Sequence, residues 1–235
     1  MNTPHIQHCK SLADLPALRA GGIVYIIFDG ANPLGTYFAA KGFTVQEWAV
    51  NAATLGDYCG ASVRTLPDAT RLVVAVGGWC AMQVGKLVAH QAQRPLWCVP
   101  THPGATGALW CHTWWVVGNH PKLLDAAPHT LMMVDSLFAE DRQGQELAYQ
   151  CLTACYVSLV MDIFRARIEG EEQDNAPRHA AMDEVRQTLL ACREYTVGQS
   201  AALWRALEKA APHTDLAEIE LFALTICMYK SQKFE

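Results

Sequence analysis

Residues 72–89 read LVVAVGGWCAMQVGKLVA. The opening residues are apolar and rich in valine, Gly77-Gly78 interrupts them, and a helix-forming stretch with a single lysine follows. The pattern predicts a strand, a glycine turn and a helix N-terminus in direct succession. Such a junction is an anion seat. The first N–H groups of a helix have no intrahelical acceptor, and the helix dipole favours negative charge there. A pyrophosphate is its usual occupant.

Working outward, the same alternation recurs through the first half of the chain. Gly22–Phe28 (GIVYIIF) reads as a buried strand closed by Asp29-Gly30, and Pro33–Lys41 as a short helix ended by Gly42. Thr44–Val50, Pro95–Val99 and Leu131–Val134 read as further strands, five in all with Leu72–Val76. Strands alternating with helices indicate a parallel sheet covered by helices, with ligands beyond the carboxyl ends of the strands. Here those ends are Asp29-Gly30, Gly77-Gly78, Pro100-Thr101 and Asp135. From about Gln145 the β signal stops. Glu146–Glu169, Ala180–Tyr195, Ser200–Ala210 and Leu216–Lys230 read as helices, the last with an Asp215/Glu218 capping box, and Glu169–Pro177 as a polar loop. The expected fold class is therefore α/β: a Rossmann-like nucleotide-binding domain over residues 1–140, then an all-helical domain over 141–235.

Composition narrows the class. Of 235 residues, 51% are hydrophobic and 17% charged, which argues against disorder, and a net charge of −5 without any basic run argues against nucleic acid. Met1–Leu15 is too polar for a signal peptide, and the longest apolar run, Cys151–Met161, reads as too short to span a bilayer. The expectation is a soluble cytoplasmic protein. Its nine cysteines include no C-x-x-C pair, so they read as small buried hydrophobes. Cys98, His102, Cys111 and His112 are close in sequence, but their spacing fits no common zinc pattern.

Three segments in fixed order resemble the superfamily of iron-containing alcohol dehydrogenases, glycerol dehydrogenase and dehydroquinate synthase. Gly77-Gly78-Trp79-Cys80-Ala81-Met82-Gln83-Val84-Gly85-Lys86 is similar to that family's G-G-G-S-x-x-D-x-A-K, and Pro100–Gly107 to its P-T-T-A-G-T-G-S loop. Lys122, Pro128 and Met133-Val134-Asp135-Ser136 resemble its K…P…V-D-P stretch. The resemblance covers roughly residues 20–160. It implies an N-terminal domain binding NAD or NADP, a C-terminal helical domain holding a divalent metal, and an active-site cleft between them.

Carried over residue by residue, the resemblance puts Gly77 and Gly78 at the cofactor pyrophosphate, with Lys86 on the helix that follows. Thr101 would lie near the nucleotide, Asp29 near the adenosine ribose, and Lys122 in the cleft; Lys122 and His102 are the candidate catalytic residues. The plainer alternatives are a simple strand-to-helix turn, a solvated Lys86 and a turn-forming Asp29. Three departures stand out. Trp79 replaces the third glycine, where its indole would fill the pyrophosphate space; Gln83 replaces the family's acidic residue; His102-Pro103 replaces Thr-Ala. Gln150 and Ala154 take the places of the family's first metal ligands, an Asp and a His, so the expected site is metal-free.

The leading reading is an NAD(P)-dependent alcohol or polyol dehydrogenase-like oxidoreductase with a small-molecule substrate. Its alternatives are a catalytically inactive relative acting as a binding or regulatory subunit, and a dehydroquinate-synthase-like cyclase. The chain is short for the family, and Cys151–Met161 is apolar nearly all round, which suits full burial. A homodimer or hetero-oligomer is the expected state, without nucleic-acid or membrane partners.

Overall fold

A computed structural model describes residues 4–51, 66–117, 120–170 and 176–214, with the side chains of 114–122 outside that set. The chain divides into two compact units, Met1–Ala139 and Glu140–Glu235.

The first unit is built on a six-stranded, wholly parallel sheet. Its strands are β1 (His5–Cys9), β2 (Ile23–Phe28), β3 (Thr44–Ala49), β4 (Thr70–Gly77), β5 (Leu96–Pro100) and β8 (Thr130–Val134), in the spatial order β1-β8-β5-β4-β2-β3. Helix α1 (Leu34–Ala40) follows β2 and helix α2 (Trp79–Ala92) follows β4. Two features were not visible in the sequence. β1 (HIQHC) lacks an apolar run, because an edge strand has only one neighbour and little of it needs burial. β6 (His112–Val117) and β7 (His120–Asp125) form a separate antiparallel hairpin, with Pro121 inside β7.

Alternate residues along the central strands divide the core between the two faces of the sheet. Val24, Ile26, Leu72, Val74, Val76, Trp97 and Val99 pack with Leu34, Phe38 and Phe43 in one cluster. The intervening positions include Val73, Ala75 and Cys98, and the buried residues of α2 include Ala81, Met82, Val84, Leu87 and Val88. Gly85 sets how closely α2 approaches the sheet: a Cβ placed there would lie 2.6 Å from the Ala75 Cβ, well inside van der Waals contact.

The second unit contains α3 (Arg142–Glu169), α4 (Ala176–Ala191) and α5 (Gln199–Ala210). Asp141 caps α3 by accepting from Gly144 N at 2.6 Å, and Gly170 ends it in the left-handed conformation (φ +70°). Glu140 ties the start of α3 to the start of α5, accepting from Ser200 Oγ and Gln145 Nε2, each at 2.6 Å, and from Gly198 N at 3.0 Å. The residue 215–230 helix and its capping box lie outside the described residues.

Helix α3 corrects two expectations. Its apolar character extends past Cys151–Met161, through Leu147 and Ala148 on one side and Ile163 and Phe164 on the other, and an 18-residue window averages a hydropathy of 1.5. By length and composition this helix is long enough to cross a bilayer. It is also not buried all round. Ala148, Cys151, Leu152, Cys155 and Leu159 face inward, whereas Val157, Met161, Phe164 and Ile168 are 55–72% exposed.

Candidate dinucleotide site

Strand order decides where a ligand can sit. β3 lies to one side of β2, whereas β4 and β5 lie to the other, so the chain reverses direction across the sheet between β2 and β4. At such a switch point the loops leaving the carboxyl ends part and open a crevice. Register then fixes which residues meet there. Phe28 is opposite Val76, and Gly77 is opposite Pro100, so Asp29, Gly77-Gly78 and Thr101-His102 leave the sheet side by side.

Backbone geometry at Gly77 explains the glycine. Its φ is +124°, a region L side chains rarely adopt, and an added Cβ would run into the Asp29 carboxylate. Thr101 N donates to Gly77 O at 3.1 Å, which fixes the β5 loop against the turn. Gly78 is the N-cap of α2 and has no side chain with which to cap it.

The cap comes from β2. Asp29 accepts from Gly78 N through Oδ1 and from Ala81 N through Oδ2, the latter at 3.0 Å. A carboxylate of this chain therefore occupies the anion seat at the start of α2. From the sequence, Trp79 could fill that space, and the resemblance put Asp29 near the adenosine ribose. Trp79 opens α2, with its indole Nε1 buried and without a hydrogen-bond partner among the described residues. Burial pushes the Asp29 carboxyl above the usual carboxylate range, against the lowering pull of the two amides and of His102.

His102 completes the group. An added Cβ on Gly78 would collide with its Nε2, which places the ring over the turn. Gly104 N donates to Nδ1 at 3.2 Å, so in the neutral ring the proton resides on Nε2. Cys80, also on the first turn of α2, has its thiol pushed up to about 11 by burial and then by the Asp29 charge. At neutral pH it is a thiol and a poor nucleophile.

The remaining expected site residues lie elsewhere. Lys86 is fully buried, neither solvated nor at the turn: its Nζ donates to Gly107 O and to His112 O, the latter at 2.9 Å. It anchors the 3-10 turn at 106–109 and the start of β6 to α2. Gln83 works beside it, its Oε1 accepting from Thr113 Oγ1 at 2.6 Å. Lys122 pairs in register with Trp115 in the hairpin, and its side chain lies outside the described set. His112 Nδ1 lies 2.8 Å from Asp125 Oδ1. Cys98 is buried in β5, and among the described residues no three His, Cys, Asp or Glu side chains gather as a metal site. Gln150 and Ala154, both on α3, present an amide and a methyl where the resemblance puts metal ligands. That donor set does not suit a hard divalent ion.

The fold of this chain, a parallel six-stranded sheet followed in sequence by a helical unit, is similar to the solved folds of a glycerol dehydrogenase and of iron-containing alcohol dehydrogenases. Glycerol dehydrogenase from Schizosaccharomyces pombe matches with a TM-score of 0.66 at 14% identity, over 91% of this chain and 61% of that one. An iron-containing alcohol dehydrogenase from Thermotoga maritima matches at 0.58 and 12% identity, over 88% and 66%, and one from Thermococcus thioreducens at 0.53 and 13%, over 81% and 59%. This chain thus spans about three-fifths to two-thirds of their length. No sequence family matches it, and no curated protein matches it by sequence.

Proposed function

We propose that the chain is an NAD(P)-dependent, alcohol- or polyol-dehydrogenase-like oxidoreductase that holds a dinucleotide diphosphate at Gly77-Gly78. One observation carries this reading: two N–H groups at the start of α2, at the switch point of the sheet, already hold an anion in the form of the Asp29 carboxylate. The glycine turn fits the same use, since no side chain stands between the backbone and that anion.

Bound in its reduced form, a nicotinamide would supply a hydride to a carbonyl substrate, which then needs a proton on its oxygen. Toward it, Gly78 N and Ala81 N would bind a phosphate oxygen, and Thr101 would keep the neighbouring loop in place. His102 holds a proton at Nε2 over the turn and is the candidate to donate it; Lys122 is kept as a second candidate. Because Gln150 and Ala154 do not suit a metal, no step is assigned to one, and the cyclase alternative, which also needs a metal, loses support.

Titration of the intact chain with NADH and NADPH, read by nicotinamide fluorescence, tests the proposal. Saturable binding in the micromolar range supports it, and no binding up to millimolar concentrations of either overturns it. The second reading, a binding or regulatory subunit without turnover, is favoured by Asp29 standing in the diphosphate seat. Saturable binding with no reduction of the cofactor across a panel of alcohols and polyols would select it. A cytoplasmic setting and a homodimer or hetero-oligomer belong to the same proposal. The exposed α3 residues Val157, Met161, Phe164 and Ile168 support an oligomer, and a single monomer in sedimentation velocity at every loading would refute it.

A further inference from the structure

We infer that Asp29 sets ligand affinity at this turn: its carboxylate takes the place of a diphosphate and must withdraw before a diphosphate ligand binds. The inference rests on the dinucleotide reading above and deepens it. Three observations support it. The N–H groups of Gly78 and Ala81, which a diphosphate would need, are both engaged by Asp29. The space over Gly77 is filled by the Asp29 carboxylate and the space over Gly78 by the His102 ring. Asp29 is only partly exposed, and burial is the largest cause of the upward shift of its carboxyl, so a second anion beside it would oppose its ionised form further.

A second anion brought to the same seat meets this charge at contact distance. Like charges at one desolvated position are strongly repulsive, so either the carboxylate rotates away or the ligand is refused. The residue therefore discriminates by charge. It opposes diphosphates far more than a neutral nucleoside reaching the same crevice. Asp29 follows β2 directly, where Gly30 has a φ of +111° and an added Cβ there would meet nothing within 4 Å, so there is open space beside the glycine that follows it.

The test compares wild type with Asp29→Ala and Asp29→Asn by calorimetric titration with NADH and with ADP, using adenosine as the neutral control. Asn keeps the size of the side chain and one oxygen for the helix N-terminus, so it serves if Ala fails to fold. The expected result is a gain of at least about tenfold for NADH and for ADP in the variants, with adenosine unchanged within about twofold. Two results would overturn the inference, and they are distinguishable. If wild type binds NADH and the folded variants bind it equally or more weakly, Asp29 does not compete and only this inference falls. If neither wild type nor a folded variant binds NADH or ADP up to millimolar concentrations, the seat is not a diphosphate seat and the dinucleotide reading falls with it.

Discussion

Gly85→Ala sets two known effects of opposite sign against each other. Alanine in a helix interior is favoured over glycine by about 0.8–1 kcal/mol, so local propensity alone predicts a more stable protein. The structure predicts the reverse. The new methyl would lie 2.6 Å from the Ala75 Cβ, about 1 Å inside ordinary contact, and Ala75 belongs to the central strand and cannot yield alone. Overpacking of this kind costs about 1–3 kcal/mol. The net expectation is a loss of about 1 kcal/mol in the first unit, or roughly fivefold faster exchange of the most protected amides of β4 and α2. Hydrogen exchange suits the question because it reports that unit separately from the helices beyond residue 139. Ala75→Gly removes the opposing methyl, so the double variant should recover part of the loss, with a coupling of about 1 kcal/mol. A stability gain in Gly85→Ala, or additivity of the two changes within about 0.3 kcal/mol, would refute the claim that Gly85 sets the approach of α2.

Asp29 also makes stability depend on pH. Its carboxyl is raised in the folded state, so the contribution is fully present below the ordinary Asp value of about 3.9 and is lost as pH rises through the raised value. Relative to Asp29→Asn, wild type should therefore lose stability from about pH 4 upward until the carboxyl is ionised, and a relative gain over that interval in urea titrations would contradict the assignment. Asp141→Ala removes the cap on Gly144 N and should cost about 1 kcal/mol, read as faster exchange in the first turn of α3; unchanged exchange there would exclude the cap. Glu140→Ala leaves Ser200, Gln145 and the Gly198 amide without their common acceptor and should cost about 2 kcal/mol or more in thermal unfolding, whereas a loss below about 0.5 kcal/mol would show the network to be loosely held.

The sheet was legible where burial is two-sided. β2, β4, β5 and β8 are covered on both faces, so their apolar runs stand out, and Gly77-Gly78 marked the end of β4. β1 and the β6–β7 hairpin were not legible: β1 is a mostly polar edge strand and Pro121 interrupts β7, which hid the partner of the apolar β6 (HTWWVV). Asp29, Gly77, Gly78, Thr101 and His102 were placed beyond strand ends by the sequence, and the structure brings them together there, yet the contacts among them were not legible. Lys86 shows why. A lysine on a helix is ordinarily solvated, and only the folding of residues 107 and 112 back onto α2 supplies the carbonyls that let it be buried.

Local sequence alone determined that a strand, a glycine turn and a helix occur at 72–89, since hydrophobic period and glycine chemistry act within a few residues. What occupies that turn was decided by tertiary structure. Asp29 reaches the start of α2 only because β2 pairs with β4 in a register that sets Phe28 against Val76, and no feature of residues 22–30 announces that partner. Pairing between strands almost fifty residues apart is a property of the folded sheet. It turned an open anion seat in the sequence into one filled by a carboxylate of the chain itself.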